Sequence, residues 1–233
     1  MLLAALAAFA GAAVQSASGL GFALVLSPAL FAVMEPEEAV TAVLILGIAL
    51  CALILLESHH VATHGLARVL PPALPGLVVG VLLLSVLSKQ WLQVGVGVGV
   101  IVAAAWQLRH HARVRIPAVL AGFLSGVLTT SISVNGPPLA LWLEGERVPP
   151  RSLRATLAAA FLALDVAGVA LIVAREGADT VDLGALGPLV ACVLAGYAIG
   201  AVGFRRLDRE RFSMVVLIVV ICTGVASIVA GLA

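Results

Sequence analysis

The chain has 233 residues, of which 62% are hydrophobic and 11% charged, with a formal net charge of +1 and a mean hydropathy of +1.19. Apolar residues make up only about half of soluble globular proteins, so this composition predicts a polytopic membrane protein. No basic patch is interleaved with aromatic residues, so no nucleic-acid partner is expected. Several apolar runs reach the length of a membrane-spanning helix and none alternates like a barrel strand, which predicts an all-α fold.

Eight apolar runs, separated by short charged loops, are predicted as membrane segments. They occupy residues 2–34, 38–56, 66–88, 91–108, 116–144, 151–174, 183–204 and 211–232. The first and fifth runs would each be about 45 Å long as straight helices, whereas the hydrocarbon core is about 30 Å thick. Both are interrupted by small polar residues, at QSASGLGF (15–22) and TTSISVNGPP (129–138). We therefore expect a broken helix in each of these two runs.

The two interrupted runs superpose when the sequence is shifted by 115 residues. This shift pairs Gly11 with Gly126, Ser16 with Ser131, Ser18 with Ser133, Gly21 with Gly136, Leu24 with Leu139 and Thr41 with Thr156. The sequence therefore predicts two homologous halves, residues 1–115 and 116–233, each with a broken helix and three further helices. Corresponding interrupted segments in two halves point to a transporter whose substrate site lies where the halves meet.

The positions of the 13 Lys and Arg residues bear on how the halves are oriented. If the fifth run spans the membrane, these residues divide eight against five. If it dips in and returns, they divide eleven against two, with only Lys89 and Arg175 on the minority side. The positive-inside rule favours the second arrangement, which predicts inverted halves with both termini outside and the basic loops in the cytoplasm. Eight full spans with parallel halves remain the alternative.

The breaks are candidate anion sites. Lipid cannot satisfy the backbone groups that a broken helix frees, so a break must be buried in protein or line a wet cavity. Asn135 is a favourable N-cap residue, so a half-helix is expected to begin at 136–138 with its positive end pointing inward. A carboxylate, sulfonate or sulfite-like oxyanion suits such donors. The predicted substrate-binding residues are Ser16, Ser18, Gly19, Gly21, Ser131, Ser133, Asn135 and Gly136. The alternative is that the breaks are helix kinks packed through small residues.

Two charged residues are further candidates. Asp165 is the only acid well inside a spanning run, and acids at such depth commonly serve ion pathways or proton relays. We predict a proton-coupling role; the alternative is a protonated or hydrogen-bonded structural group. Arg154 lies one turn into the sixth run and is predicted to meet the anion at the cytoplasmic mouth. Alternatively, Arg154 is one of the cytoplasmic arginines that follow the positive-inside rule, and its side chain extends to the lipid headgroups.

Three stretches resemble a known transporter family. SGLGFALVLSPAL (18–30) and GFLSGVLTTSISVNGPPLALWL (122–143), followed by LRATLAAAF (153–161), resemble the signature regions of the sulfite exporter TauE/SafE family, the toluene sulfonate uptake permease group. The resemblance covers nearly the whole chain. The first stretch departs from the denser glycine run of many relatives. Membership implies transport of small sulfur-containing or organic anions across a bacterial inner membrane, in some members coupled to protons.

The predicted function is therefore secondary transport of a small oxyanion by alternating access around the two breaks. The expected partners are the anion, the lipid bilayer and protons as a coupling ion. An anion channel with the same half-helix filter is the alternative. No catalytic motif such as HExxH or GxSxG occurs, so the chain is not expected to be an enzyme. Cys51, Cys192 and Cys222 lie in apolar runs without CxxC spacing, and neither a metal site nor a cofactor is predicted.

Overall fold

A computed structural model describes residues 2–57, 61, 63–108, 116–146, 148, 150–177, 183–203, 221, 225 and 229. Within this part of the chain every regular element is an α-helix, so the predicted all-α fold is confirmed. The helices are α1 (Leu2–Ser18), α2 (Phe22–Phe31), α3 (Pro36–Glu57), α4 (Thr63–Val86), α5 (Lys89–Leu108), α6 (Ala118–Ile132), α7 (Gly136–Gly145), α8 (Pro150–Glu176) and α9 (Leu183–Gly203). The eighth predicted run, 211–232, lies almost entirely outside the described residues.

Three of the described helices are long and apolar enough to cross a membrane. Their spanning segments are Pro36–Glu57, Gly65–Val86 and Ser152–Glu176. The shorter apolar helices include both parts of the first run and the first part of the fifth. Many large apolar side chains of the spanning helices face outward, as expected for surfaces in contact with lipid. The structure is that of a polytopic membrane protein.

Both long runs are broken where the sequence predicts. α1 ends at Ser18 and α2 begins at Phe22, and between them Gly19 and Gly21 have φ angles of 85° and 125°. The φ angle of Gly21 is one that side chains rarely adopt, so the turn requires glycine there. In the fifth run the break follows α6, where Ser133 has a left-handed φ of 61°. The left-handed backbone ends each first helix.

The chain folds back at the first break. A Cβ atom on Gly11 would lie 2.9 Å from the carbonyl oxygen of Phe22, so the start of α2 lies beside the middle of α1. A continuous helix would instead separate these two residues by about 16 Å along its axis. α1 and α2 therefore form a hairpin within the bundle.

Helices from the two predicted halves pack against each other in pairs. α4 packs on α6, α1 on α9 and α3 on α8. Glycines allow close backbone contact in the first two pairs, because a Cβ atom at any of them would overlap a carbonyl oxygen of the partner helix. These glycines are Gly76 and Gly80 on α4, Gly122 and Gly126 on α6, and Gly196 and Gly200 on α9. Small residues thus allow the close approach of α4 to α6 and of α1 to α9.

α3 and α8 cross the bundle in opposite directions. Gly47 of α3 lies against the carboxylate of Asp165, and Leu44, one turn earlier, lies against Gly168, one turn later in α8. This reversed order shows antiparallel packing. It brings the end of α3 close to the beginning of α8.

Several helix boundaries in residues 1–115 correspond to boundaries in residues 116–233 at an offset of 114 residues. This offset relates Ser18 to Ile132 at the ends of α1 and α6, Phe22 to Gly136 at the starts of α2 and α7, and Pro36 to Pro150 at the starts of α3 and α8. It is one residue less than the offset that aligns the serines and glycines of the two motifs. By backbone position, Asp165 therefore corresponds to Cys51.

Candidate functional site

The two helix breaks touch each other inside the bundle. The Leu20 side chain from the first break occupies the place that a Cβ atom on Gly136 would take, and the ring of Phe161 lies close by. Gly136 begins α7 directly after the second break. Glycine is therefore needed at this position for the two breaks to meet.

A buried polar cluster lies beside the meeting point. The Asn135 amide donates a hydrogen bond to Asp165 Oδ1 at 3.0 Å, and Gln15 Nε2 donates to Cys51 Sγ at 3.5 Å. Gln15 also accepts a hydrogen bond from the backbone N–H of Phe22 at 3.2 Å. Gln15 thus connects the cluster to the start of α2, and Asn135 connects it to the start of α7.

Two members of this cluster, Gln15 and Cys51, were not predicted as site residues. Gln15 is a buried polar residue one turn before the first break, and this placement in an apolar run is the signal that identifies it. Cys51 could be identified only through the backbone offset of 114, which relates it to Asp165. The sequence motifs alone, aligned at 115, relate Asp165 to Leu50 instead.

Asn135 takes the N-cap position of α7, as predicted, but its side chain does not cap the helix. The amide is directed to Asp165 instead. The first three residues of α7 are Gly136, Pro137 and Pro138, and the two prolines have no N–H to offer. The second break therefore presents fewer backbone donors than a helix N-terminus normally does.

The four predicted serines donate their hydroxyl protons to backbone carbonyl groups. Ser16 donates to Ala13 and Ser131 to Val127, at 3.0 and 2.7 Å. Ser133 donates to Val40 at 3.4 Å. Ser18, which is exposed, is within hydrogen-bond distance of the carbonyl oxygens of Val14 and Leu20. Ser16 also packs against Gly200 at the interface of α1 and α9, whereas Ser133 lies in the second break itself.

Arg154 lies against the first break. A Cβ atom on Gly19 would be 3.2 Å from Arg154 Cα. The Nε and Nη2 atoms of Arg154 are buried and have no hydrogen-bond partner among the described residues. Arg154 and Asp165 are 11 residues apart in α8, about 16 Å along the helix axis. Arg154 is therefore at the end of the bundle, away from the central polar cluster.

Tyr197 is a neighbour of Arg154 that was not predicted as a site residue. Its hydroxyl donates a hydrogen bond to the carbonyl oxygen of Leu53 at 3.2 Å, which joins α9 to the last turn of α3. The hydroxyl also lies within electrostatic range of the Glu57 carboxylate and the Arg154 guanidinium. Tyr197 is the only tyrosine of the chain, and nothing in its sequence context indicates this placement.

Comparison with known proteins identifies the family. The model of the sulfite exporter TauE/SafE family matches residues 3–227, a range that includes both breaks, the polar cluster and Arg154. No curated protein and no solved structure matches the chain. The family is one of multi-pass membrane transporters for sulfite-like anions, as the resemblance of the signature stretches implied. The chain belongs to the sulfite exporter TauE/SafE family.

Proposed function

We propose that this protein is a secondary transporter that moves a small organic or sulfur-containing oxyanion across the bacterial inner membrane. The oxyanion is a sulfonate, a sulfite-like anion or a carboxylate. The contact between Leu20 and Gly136 carries the proposal, because it joins two helix breaks where freed backbone groups need a polar partner. Family membership supports a transporter role and not a catalytic one.

The two halves act as inverted repeats in this proposal, each with one re-entrant hairpin and three spans. The common offset of 114 between helix boundaries supports it. A two-fold relation between the halves makes α1 equivalent to α6, α4 to α9 and α3 to α8. It therefore exchanges the pair α1–α9 with the pair α6–α4, and it exchanges the two antiparallel helices of the pair α3–α8 with each other. Both relations agree with the observed packing. Inverted repeats allow one site to open alternately to the two sides of a membrane, and we place the basic loops in the cytoplasm.

The proposed substrate path runs along the breaks. The path is formed by backbone groups and by two hydroxyl groups. The backbone groups are those of Gly19, Gly21 and Gly136, and the hydroxyl groups are those of Ser18 and Ser133. Arg154 lies at the cytoplasmic end of the path. The remaining predicted residues, Ser16, Ser131 and Asn135, support the break backbone through the hydrogen bonds described above. A small oxyanion suits this path because these groups are short and fixed to the backbone, and it would replace the carbonyl oxygens that the Ser18 and Ser133 hydroxyl groups now bind.

Asp165 is the proposed proton-coupling residue. It is buried beside the second break and is bound by Asn135. An ionised carboxylate at this depth is unfavourable and repels an approaching anion, whereas a protonated one does not. Proton uptake by Asp165 therefore favours anion entry, and the two are released together on the other side.

Counterflow distinguishes this mechanism from an anion channel. Purified protein in liposomes preloaded with unlabelled sulfite should accumulate radiolabelled sulfite transiently above equilibrium, with an initial rate that saturates. Liposomes without protein, and liposomes in which the membrane potential is clamped at zero, serve as controls. A non-saturating flux without transient accumulation would indicate the channel and contradict the transporter.

A further inference from the structure

The first residues after α1 and after α6 each contact a long helix, and the two contacts are at equivalent positions of α8 and α3. Gly19, after α1, lies against Arg154, with a projected Cβ distance of 3.2 Å. Ser133, after α6, donates to the carbonyl oxygen of Val40 at 3.4 Å. Arg154 is the fifth residue of α8 and Val40 the fifth of α3. Equivalent places at the two ends of the bundle thus hold a guanidinium group and an apolar side chain.

The Arg154 guanidinium is short of partners. Its Nε and Nη2 atoms are buried without a hydrogen bond in the described part of the chain. The described ion pairs, Arg68–Glu146, Lys89–Glu35 and Arg175–Glu176, all lie at the surface and do not include it. A buried charged donor without a partner is unfavourable, so these two N–H groups call for an acceptor from outside the protein.

The geometry of the two free donors selects the acceptor. Nε and one Nη of a guanidinium present two parallel N–H bonds, which match two oxygens of one carboxylate, sulfonate or sulfite. A spherical halide receives no such paired contact. The free edge of Arg154 therefore suits an oxyanion of the class proposed for transport.

The described charges around the two ends differ. Glu37 and Glu38 lie in the first turn of α3, at the end of the bundle where Val40 stands. At the end of Arg154, Glu57 is exposed and Glu146 is paired with Arg68 at 3.5 Å. Lys89 at that end is paired with Glu35 at 3.2 Å, so Glu37 and Glu38 give the mouth near Val40 an acidic excess that repels anions, whereas the Arg154 guanidinium attracts them.

We propose that Arg154 is a capture site for the transported oxyanion that serves one face of the membrane only. The inference rests on the proposed function, because it assigns the captured anion to the transport path. The site is about 16 Å from Asp165 along α8, so a small anion bound here does not contact the central cluster. Capture lowers the anion concentration that half-saturates transport from one face. It does not change the final distribution of the anion across the membrane, which depends on the driving force.

Sided transport measurements test the capture site. Uptake of radiolabelled sulfite is measured in right-side-out and in inside-out membrane vesicles for the wild type, Arg154→Gln and Arg154→Lys. We expect Arg154→Gln to raise the half-saturating concentration about tenfold or more in one vesicle type and less than about twofold in the other. Arg154→Lys keeps the charge but lacks the paired donors, so it should show most of the same one-sided loss.

Arg175→Gln is the matched control. Arg175 stands in the last turn of α8 and pairs with Glu176 at the surface, so its replacement should change neither vesicle type. Size-exclusion profiles and melting temperatures verify that all variants are folded. An equal rise in both vesicle types, or no rise in either, would overturn the one-sided site. Wild-type behaviour of Arg154→Lys would contradict paired binding. Absence of saturable sulfite uptake in the wild type would contradict the proposed function itself.

Discussion

Asn135 holds the carboxylate of Asp165 at 3.0 Å in the interior of the bundle. Asn135 immediately precedes α7, and Asp165 lies in the middle of α8. The other carboxylate oxygen fits against Gly47, where a Cβ atom would approach to 2.7 Å. The pair therefore links a helix break to the crossing of two spanning helices.

Substitutions of Asn135 and Asp165, alone and swapped between the two positions, test the hydrogen bond. Asn135→Leu leaves a buried carboxyl group without its donor, which should lower the free energy of unfolding by about 1–3 kcal/mol. Because Asn135 supports the break backbone that lines the proposed path, the same substitution should also abolish substrate binding. The double variant Asn135→Asp with Asp165→Asn keeps one amide and one carboxyl group in contact, so it should regain most of the lost stability. Melting temperatures and sulfite titrations of the detergent-solubilised variants provide the measurement. A double variant that is no more stable than Asn135→Leu would show that the pair contributes little.

Replacement of Asp165 alone tests proton coupling. Asp165→Asn cannot take up a proton, so uptake driven by a pH gradient should be lost while exchange of labelled for unlabelled sulfite persists. Both rates are measured in the same liposome preparation. The matched control is Cys51→Ser, at the corresponding position of the first half, which should retain uptake driven by the pH gradient. Unchanged pH-driven uptake in Asp165→Asn would remove the proposed proton role.

The contact between the two breaks predicts a compensating pair of substitutions. Gly136→Ala places a methyl group where the Leu20 side chain lies, and such overpacking should destabilise the protein by about 1–3 kcal/mol. Leu20→Ala removes the obstructing side chain, so the double variant should be more stable than Gly136→Ala. A double-mutant cycle on melting temperatures measures the coupling. Additive effects would mean that the two breaks do not touch.

The sequence was sufficient to locate the helix breaks. Small polar residues interrupt runs that are too long for straight spans, and Gly19, Gly21 and Ser133 have the left-handed backbone that ends or redirects a helix. Local chemistry controls these features, so the local sequence reports them. The close contacts at Gly76, Gly80, Gly196 and Gly200 were not predicted, although small residues at such spacing allow helices to approach closely.

The hydrogen-bond partner of the Asn135 side chain could not be predicted from the local sequence. Local preference favours an N-cap, but the Asn135 amide donates instead to the buried carboxyl group of Asp165 on another helix. The position of Asp165 opposite Asn135 depends on how α6, α7 and α8 pack. Cys51 and Tyr197 were missed for the same reason, because each is defined by a contact with another helix, whereas Gln15 was missed although a polar residue in an apolar run signals it.

Accessibility of Leu20 from the two sides of the membrane tests alternating access around the breaks most directly. Leu20→Cys is introduced into a chain whose three native cysteines are replaced with serine, after counterflow has been shown to persist in that background. A membrane-impermeant thiol reagent should label Cys at this position in both right-side-out and inside-out vesicles, and saturating sulfite should slow labelling from both sides. Labelling from one side only, or from neither, would contradict the account.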